Sequence, residues 1–153
     1  MSLLAMSLLA LAYMALAASA ALSAAPRGHV AKTIAVNDTG HLYLANPNSA
    51  SNTLIEEGKA TGTLPGSVRA SLTVGTSTVR VGFTIYLHGG TITGHATASF
   101  NPGKGEYASF RGSVSVSHGS GHYAHARGSG QIYGSINRTT DNANVQVIGQ
   151  LHL

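Results

Sequence analysis

The stretch VRVGFTIYLHGGTITGHATASF, residues 79–100, decides the fold of this chain. Apolar and polar side chains alternate strictly on both sides of its Gly89-Gly90 pair, and a period of two residues places alternate side chains on opposite faces of a β-strand. Two glycines between two such runs favour a tight hairpin turn. Residues 79–100 therefore predict an antiparallel hairpin with one apolar face and one polar face.

The same alternation continues outward from this hairpin, before it at residues 68–74 and after it at 110–116, 132–136 and 145–151. Short connections rich in Gly, Asn and Ser separate these runs, which favours an antiparallel meander. No helix is predicted after the N-terminal segment.

The N-terminal part of the domain is less regular. A further hairpin is predicted from residues 33–36 to 41–44 across Asn37-Asp38-Thr39-Gly40. The stretch from 45 to 59 is predicted to be an irregular loop. Within it, Glu56 and Glu57 are interpreted as a solvated pair whose side chains diverge.

One apolar face on each of many short strands predicts an all-β barrel or, alternatively, a β-sandwich. The interior then consists of apolar residues, and no carboxylate is predicted to point inward. Whether a barrel would hold a cavity depends on side-chain volume. Small residues predicted on the inner face leave room for one: Gly94, Ala96, Ala98, Gly112, Gly134 and Gly149. Three larger residues could fill it: Phe83, Phe100 and Phe110.

An almost wholly apolar run from Leu3 to Leu22 opens the chain and is followed by small residues and Pro26. This order is typical of an export signal, so residues 1–25 are predicted to be a signal peptide and 26–153 the single folded domain. The alternative is an uncleaved membrane anchor. The export signal predicts a secreted, cell-envelope location with no membrane contact after cleavage, and the composition, rich in Ala, Gly and Thr, suggests a bacterial source.

Charge and cysteine content limit the function classes. The chain has 9 Lys and Arg against 5 Asp and Glu, a formal charge of +4, and no cysteine. The basic residues are scattered singly rather than clustered, so nucleic acid is not an expected partner. Without cysteine the domain has neither disulfides nor a thiol nucleophile. No cofactor is predicted, and unpaired sheet edges would favour a homo-oligomer.

Three histidines close together raise the question of a metal site. His118, His122 and His125 fall within eight positions, and neutral imidazoles are common ligands of zinc and copper. In a strand, however, His122 and His125 would point to opposite faces, so the three converge only if a turn redirects one. No metal site is predicted, and the trio remains a weak candidate.

One segment carries a family resemblance. The residues GSGHYAHARG, 119–128, resemble the G-[TS]-G-x-[FY]-x-x-A-x-G segment of dirigent proteins and of the wider allene oxide cyclase-like barrels. In this segment the glycines allow a sharp turn, Tyr123 would plug one end of the core, and Ala126 and Gly128 would leave room for a neighbouring strand. The resemblance implies an eight-stranded antiparallel barrel of calycin-like shape.

The resemblance implies two activities that work by shaping a cavity. Dirigent proteins orient phenoxy radicals, and the cyclases fold a reactive fatty-acid epoxide. The catalytic polar residues of both lie outside the matched segment, so no catalytic residue is assigned here.

Three functions are therefore open. The first is a non-catalytic binding or structural exoprotein, with Tyr43, Tyr86 and Tyr133 as a patch for a cell-envelope glycan. The others are a barrel that binds a small apolar molecule and a cofactor-free enzyme of dirigent or cyclase type. The residues nearest to a predicted barrel mouth, and thus the candidates for ligand binding, are Tyr123, Arg111, Glu106 and His125.

Overall fold

The computed structural model describes residues 32–46, 53–101 and 103–153, and the predicted export segment lies outside them. The described residues form strands and one short 3-10 turn, Gly121–Tyr123. In chain order the strands are β1 Thr33–Leu44, β2 Thr53–Gly62, β3 Gly66–Val74, β4 Thr78–Leu87, β5 Gly90–Asn101, β6 Tyr107–Gly119, β7 Arg127–Asn137 and β8 Ala143–His152.

The eight strands form a closed antiparallel barrel in which each strand pairs with the next and β8 pairs with β1. The closing ladder runs from Thr33 opposite His152 to Leu42 opposite Ala143. Closure pairs both edges of every strand, so no free sheet edge is left in the barrel wall. This confirms the predicted eight-stranded meander barrel and excludes the β-sandwich.

The central hairpin forms as its alternation predicts, with the turn shifted by one residue. Leu87 pairs with Gly90, so the turn consists of His88 and Gly89 and not of the two glycines. Gly89 takes a φ of 88°, a backbone conformation that suits a residue without a side chain.

The predicted hairpin from residues 33–36 to 41–44 is wrong, because β1 runs without interruption through Asn37-Asp38-Thr39-Gly40. Asp38 pairs with Gly62 of β2 on one side and with Val147 of β8 on the other. Two continuous ladders therefore override the local turn preference of these residues.

The predicted loop over 45–59 is wrong in its second half, because β2 begins at Thr53. Glu56 pairs with Leu44 of β1 and Ala70 of β3. Both neighbouring strands thus fix its backbone in an extended conformation, which places its side chain and that of Glu57 on opposite faces.

The packed core lies at one end of the barrel, which we call the plugged end. It consists of buried residues from three strands and two connections: Val36, Leu64, Ile92, Ala126 and Leu151. The ring of Tyr123 packs against this cluster. At the opposite end β1, β3, β5 and β7 end, and we call it the Glu56 end. No helix among the described residues is long and apolar enough to cross a membrane.

Candidate functional site

The interior of the barrel between these two ends holds a cavity of about 470 Å³. Inward side chains of all eight strands line it, and the buried cluster at the plugged end forms its floor. The lining is dominated by Val, Leu, Ile, Ala and Phe. Its volume lies within the usual range for small-molecule sites, about 300–1,000 Å³.

The phenylalanines leave this cavity open because two of them lie over glycines of the neighbouring strand. Phe83 pairs with Gly94, and Phe110 pairs with Gly134. A methyl group built on either glycine would lie 2.6 Å from the Cζ atom of the facing ring. The two rings therefore lie along the barrel wall in space that a larger residue would occupy, and the centre stays free.

Two carboxyl groups are buried in the barrel, contrary to the prediction that none points inward. Asp38 is 7% exposed and Glu56 is 2% exposed. Both follow the alternation of their strands, since Asp38 shares a face with Val36, and Glu56 shares a face with Leu54 and Ala60. The interpretation of Glu56 as solvated is therefore wrong, although the predicted divergence from Glu57 is confirmed.

Asp38 has a structural role near the plugged end. Its Oδ1 atom accepts a hydrogen bond of 2.9 Å from the backbone N–H of Leu64, in the β2–β3 turn. Burial raises the pKa of Asp38 above its ordinary value, while hydrogen bonds from the backbone of Leu64 and Thr63 act in the opposite direction. Asp38 thus fixes the turn that carries Leu64 into the core.

Glu56 is different because no group in the described part of the chain donates a hydrogen bond to its carboxyl. Every fully sealed side-chain oxygen or nitrogen among the described residues has a hydrogen-bond partner. The carboxyl oxygens of Glu56 must therefore border the cavity that this residue lines. Burial, and secondly the nearby charge of Asp141, raise the pKa of Glu56 from 4.5 to about 7.

Asp141 is held at the Glu56 end by a hydrogen-bonded β7–β8 turn. The side-chain oxygen of Asn137 accepts hydrogen bonds from the backbone N–H groups of Thr139, at 2.8 Å, and Thr140, at 3.1 Å. The backbone N–H of Asp141 donates to the carbonyl of Asn137 at 2.8 Å, and Asp141 takes a φ of 55°. The turn therefore fixes the backbone that presents this carboxylate to the cavity.

No ion pair of the described residues neutralises the charge at this end. Arg138 also lines the cavity, but it forms no ion pair with Glu56 or Asp141. Among the described residues, the ion pair that forms joins Arg69 and Glu57, on the outer surface. Glu56 and Asp141 thus form an acidic site at one end of an apolar cavity, and no cationic side chain in the described part of the chain is paired with either.

The four residues predicted to bind a ligand are not brought together, and none of them lines the cavity. Tyr123 and His125 lie at the plugged end, in and just after the 3-10 turn. Arg111 is exposed on the outer face of β6. Glu106 lies at the Glu56 end, where it accepts a hydrogen bond from the side-chain amide of Asn137 at 2.6 Å. Their role in binding stays a prediction.

The histidines do not assemble into a metal site. Among residues 32–46, 53–101 and 103–153, no three side chains of His, Asp or Glu are placed to hold one ion. His122 packs against Gly89 at the plugged end. The described structure therefore does not bring His118, His122 and His125 together around one ion.

The aromatic patch predicted for a glycan does not form either. Tyr43, Tyr86 and Tyr133 lie on β1, β4 and β7, and no two of these strands are neighbours in the barrel. Tyr43 and Tyr86 are about half exposed, at 54% and 50%. They therefore cover separate parts of the outer surface.

The structural roles given to the segment 119–128 are confirmed. Gly121 makes the turn with a φ of 58°, Tyr123 packs on the core, and Ala126 is fully buried. Gly128 lies opposite Leu151 of β8, and a methyl group there would lie 3.2 Å from the Cα atom of Leu151. The segment thus builds the plug and the close approach of β7 to β8.

Two solved structures share this architecture. The structure of the pterocarpan synthase dirigent protein PsPTS1 is similar to 78% of this chain over 94% of its own length, with a TM-score of 0.54 and 14% identity. That of the pterocarpan synthase dirigent protein GePTS1 covers 80% of this chain and 85% of its own, with a TM-score of 0.52 and 15% identity. No protein-family model matches the sequence, and no curated protein is significantly similar to it.

The fold is therefore a closed eight-stranded antiparallel barrel similar to that of these two dirigent proteins. At 14% and 15% identity the likeness concerns the fold. The function has to be argued from the cavity.

Proposed function

We propose that the protein is an exported binding protein that takes up a small, mostly apolar organic molecule in its barrel. The observation that carries this proposal is the apolar cavity of about 470 Å³ in the centre of the barrel. A barrel of eight strands is wide enough either to be filled by its own side chains or to hold one small ligand. Here small inward residues and the wall-lying phenylalanines favour the second case.

The energetics of such binding follow from the lining. Transfer of apolar surface from water contributes about 25 cal/mol per Å², so a ligand that covers the lining gains affinity without any directed contact. The interior residues Ala70, Ala96 and Ala98 are nearly inaccessible to solvent and leave depth for a ligand body. Export and a location at the cell envelope belong to the same proposal and rest on the apolar run at residues 3–22.

A blocking substitution with a matched control tests the proposal. Leu72 lines the cavity and Thr73, its neighbour on β3, is exposed on the outer face. Leu72→Trp adds an indole ring inside the barrel, whereas Thr73→Trp adds the same ring outside. We expect the neutral apolar dye Nile red to bind to the unchanged protein and to Thr73→Trp, and its affinity for Leu72→Trp to fall by about tenfold or more.

The measurement is a fluorescence titration, with circular dichroism and thermal unfolding to show that both variants are folded. The proposal is wrong if the unchanged protein does not bind Nile red. It is also wrong if the folded Leu72→Trp variant binds the dye as tightly as Thr73→Trp does, because the dye would then lie outside the barrel.

A further inference from the structure

The residues at the Glu56 end of the cavity limit which polar group a bound ligand can carry. The site presents the carboxyl groups of Glu56 and Asp141 next to an apolar interior. Glu56 is only 2% exposed and has no hydrogen-bond partner among the described residues. Because its carboxyl oxygens border the cavity, a ligand there can supply the hydrogen-bond donor that the described residues do not.

We propose that the cavity selects amphiphilic amines: molecules with a protonated amine that binds between Glu56 and Asp141 and an apolar body that lies in the barrel. This inference rests on the proposed function, because it names the chemical class of the same ligand. An ammonium group has donors only, which matches two carboxyl groups that have acceptors to fill. A charge-assisted hydrogen bond in an apolar site is about twice as strong as a neutral one.

The charges around the site favour a cation over other polar groups. The titratable and charged residues that line the cavity are Asp38, Glu56, Arg138 and Asp141. Asp38 is bound to the backbone of Leu64, and no other charged residue of β1 or β3 faces Glu56. Since Arg138 pairs with neither carboxyl, an ammonium group would supply the missing positive charge. A carboxylate at the same place would face two like charges.

The ionisation of Glu56 predicts that amine binding depends on pH. Glu56 is about half protonated near neutral pH, whereas an alkylamine, with a pKa near the value of about 10.4 for Lys, keeps its proton. The amine therefore binds best when Glu56 is ionised. The affinity for the amine should rise from pH 5 to pH 8. The affinity for an uncharged analogue should not depend on the ionisation of Glu56.

The experiment compares decylamine with decanol, which have the same apolar body, as competitors of Nile red at pH 8 and pH 5. We expect the unchanged protein to prefer decylamine by about tenfold or more at pH 8 and to lose most of that preference at pH 5. Glu56→Gln should abolish the preference while decanol still binds, and Asp141→Asn should reduce it. Glu57→Gln is the matched control, because Glu57 lies outside the barrel in its ion pair with Arg69.

The outcomes separate the two proposals. If Nile red does not bind to the unchanged protein, the cavity is not a ligand site and both proposals fail. If Nile red and decanol bind but decylamine binds no better at pH 8, the inference about amines is overturned and the proposed function stands. If decylamine is preferred equally by Glu56→Gln and the unchanged protein, the amine binds elsewhere, and the inference is overturned as well.

Discussion

Glu56 opposes folding of the empty barrel whenever it is ionised, because burial reduces the hydration of its carboxylate and the described structure supplies neither a hydrogen bond nor a cation in exchange. Its pKa of about 7 in the folded chain, against 4.5 ordinarily, expresses that cost. Functional sites are where such costs are tolerated, since a bound ligand relieves them. Glu57, one residue further along β2, shows the contrast: it faces outward and pairs with Arg69.

This shift predicts how stability depends on pH. Between about pH 4.5 and pH 7 the folded chain binds more protons at Glu56 than the unfolded chain does, so stability falls as pH rises through this window. Glu56→Gln removes the ionisable group. We expect it to be more stable than the unchanged protein at pH 8, by up to about 3 kcal/mol, and nearly equal to it at pH 4.

Urea unfolding at both pH values measures this difference, with Glu57→Gln as the matched control that removes a carboxyl group outside the barrel. A Glu56→Gln variant that is less stable than the unchanged protein at pH 8 would contradict the burial and lack of partners described for this side chain. Asp38 also has a raised pKa and acts in the same direction, and the comparison of variants cancels its contribution.

Among the strands, the sequence pattern succeeds in β3 through β8 and fails in β1 and β2. Alternation of apolar residues is enough to predict β3 through β8, whose inward positions are nearly all apolar or glycine. It fails in β1 and β2, where Asp38 and Glu56 interrupt the apolar face. The charge of Glu56 indicates a solvated side chain, and Asp38 within Asn37-Asp38-Thr39-Gly40 indicates a turn. In both cases the parity with apolar neighbours, Leu54 and Val36, is the better signal.

The hydrogen bond from the backbone of Leu64 to Asp38 predicts a large effect of a small change in β1. Asp38→Ala leaves the buried N–H group of Leu64 without its acceptor and should lower the free energy of unfolding by about 1–3 kcal/mol. Asp38→Asn keeps an oxygen in the same place and should cost less. Chemical denaturation of both variants tests this, and equal stability of Asp38→Ala and the unchanged protein would show that Asp38 does not fix the β2–β3 turn.

At the scale of the whole molecule, closure of the barrel produces the site. The ladder between β1 and β8 joins the two ends of the domain, and only then do Glu56 of β2 and Asp141 of the β7–β8 turn border one space. Neither the pairing of β1 with β8 nor the cavity follows from a local sequence pattern, because both depend on contacts between residues that are distant in the chain. This is why the four residues chosen from sequence as ligand contacts include none that lines the cavity.

The presence of the cavity also depends on the whole barrel. Small inward residues could not by themselves distinguish a filled barrel from a hollow one, since the volumes of Phe83, Phe100 and Phe110 were enough to occupy the centre. The outcome depends on the register, which sets Phe83 opposite Gly94 and Phe110 opposite Gly134. Each ring thereby finds space at the wall, and the barrel keeps room for a ligand.

The measurement that tests the central claim most directly is methyl-resolved NMR of the protein titrated with Nile red. Ile85, Ile132 and Ile136 line the cavity, whereas Ile148 points outward and is 43% exposed. We predict that ring currents of the bound dye shift the methyl signals of the three inward isoleucines and leave those of Ile148 unchanged. Shifts confined to Ile148, or no shifts at saturating dye, would contradict a ligand site inside the barrel.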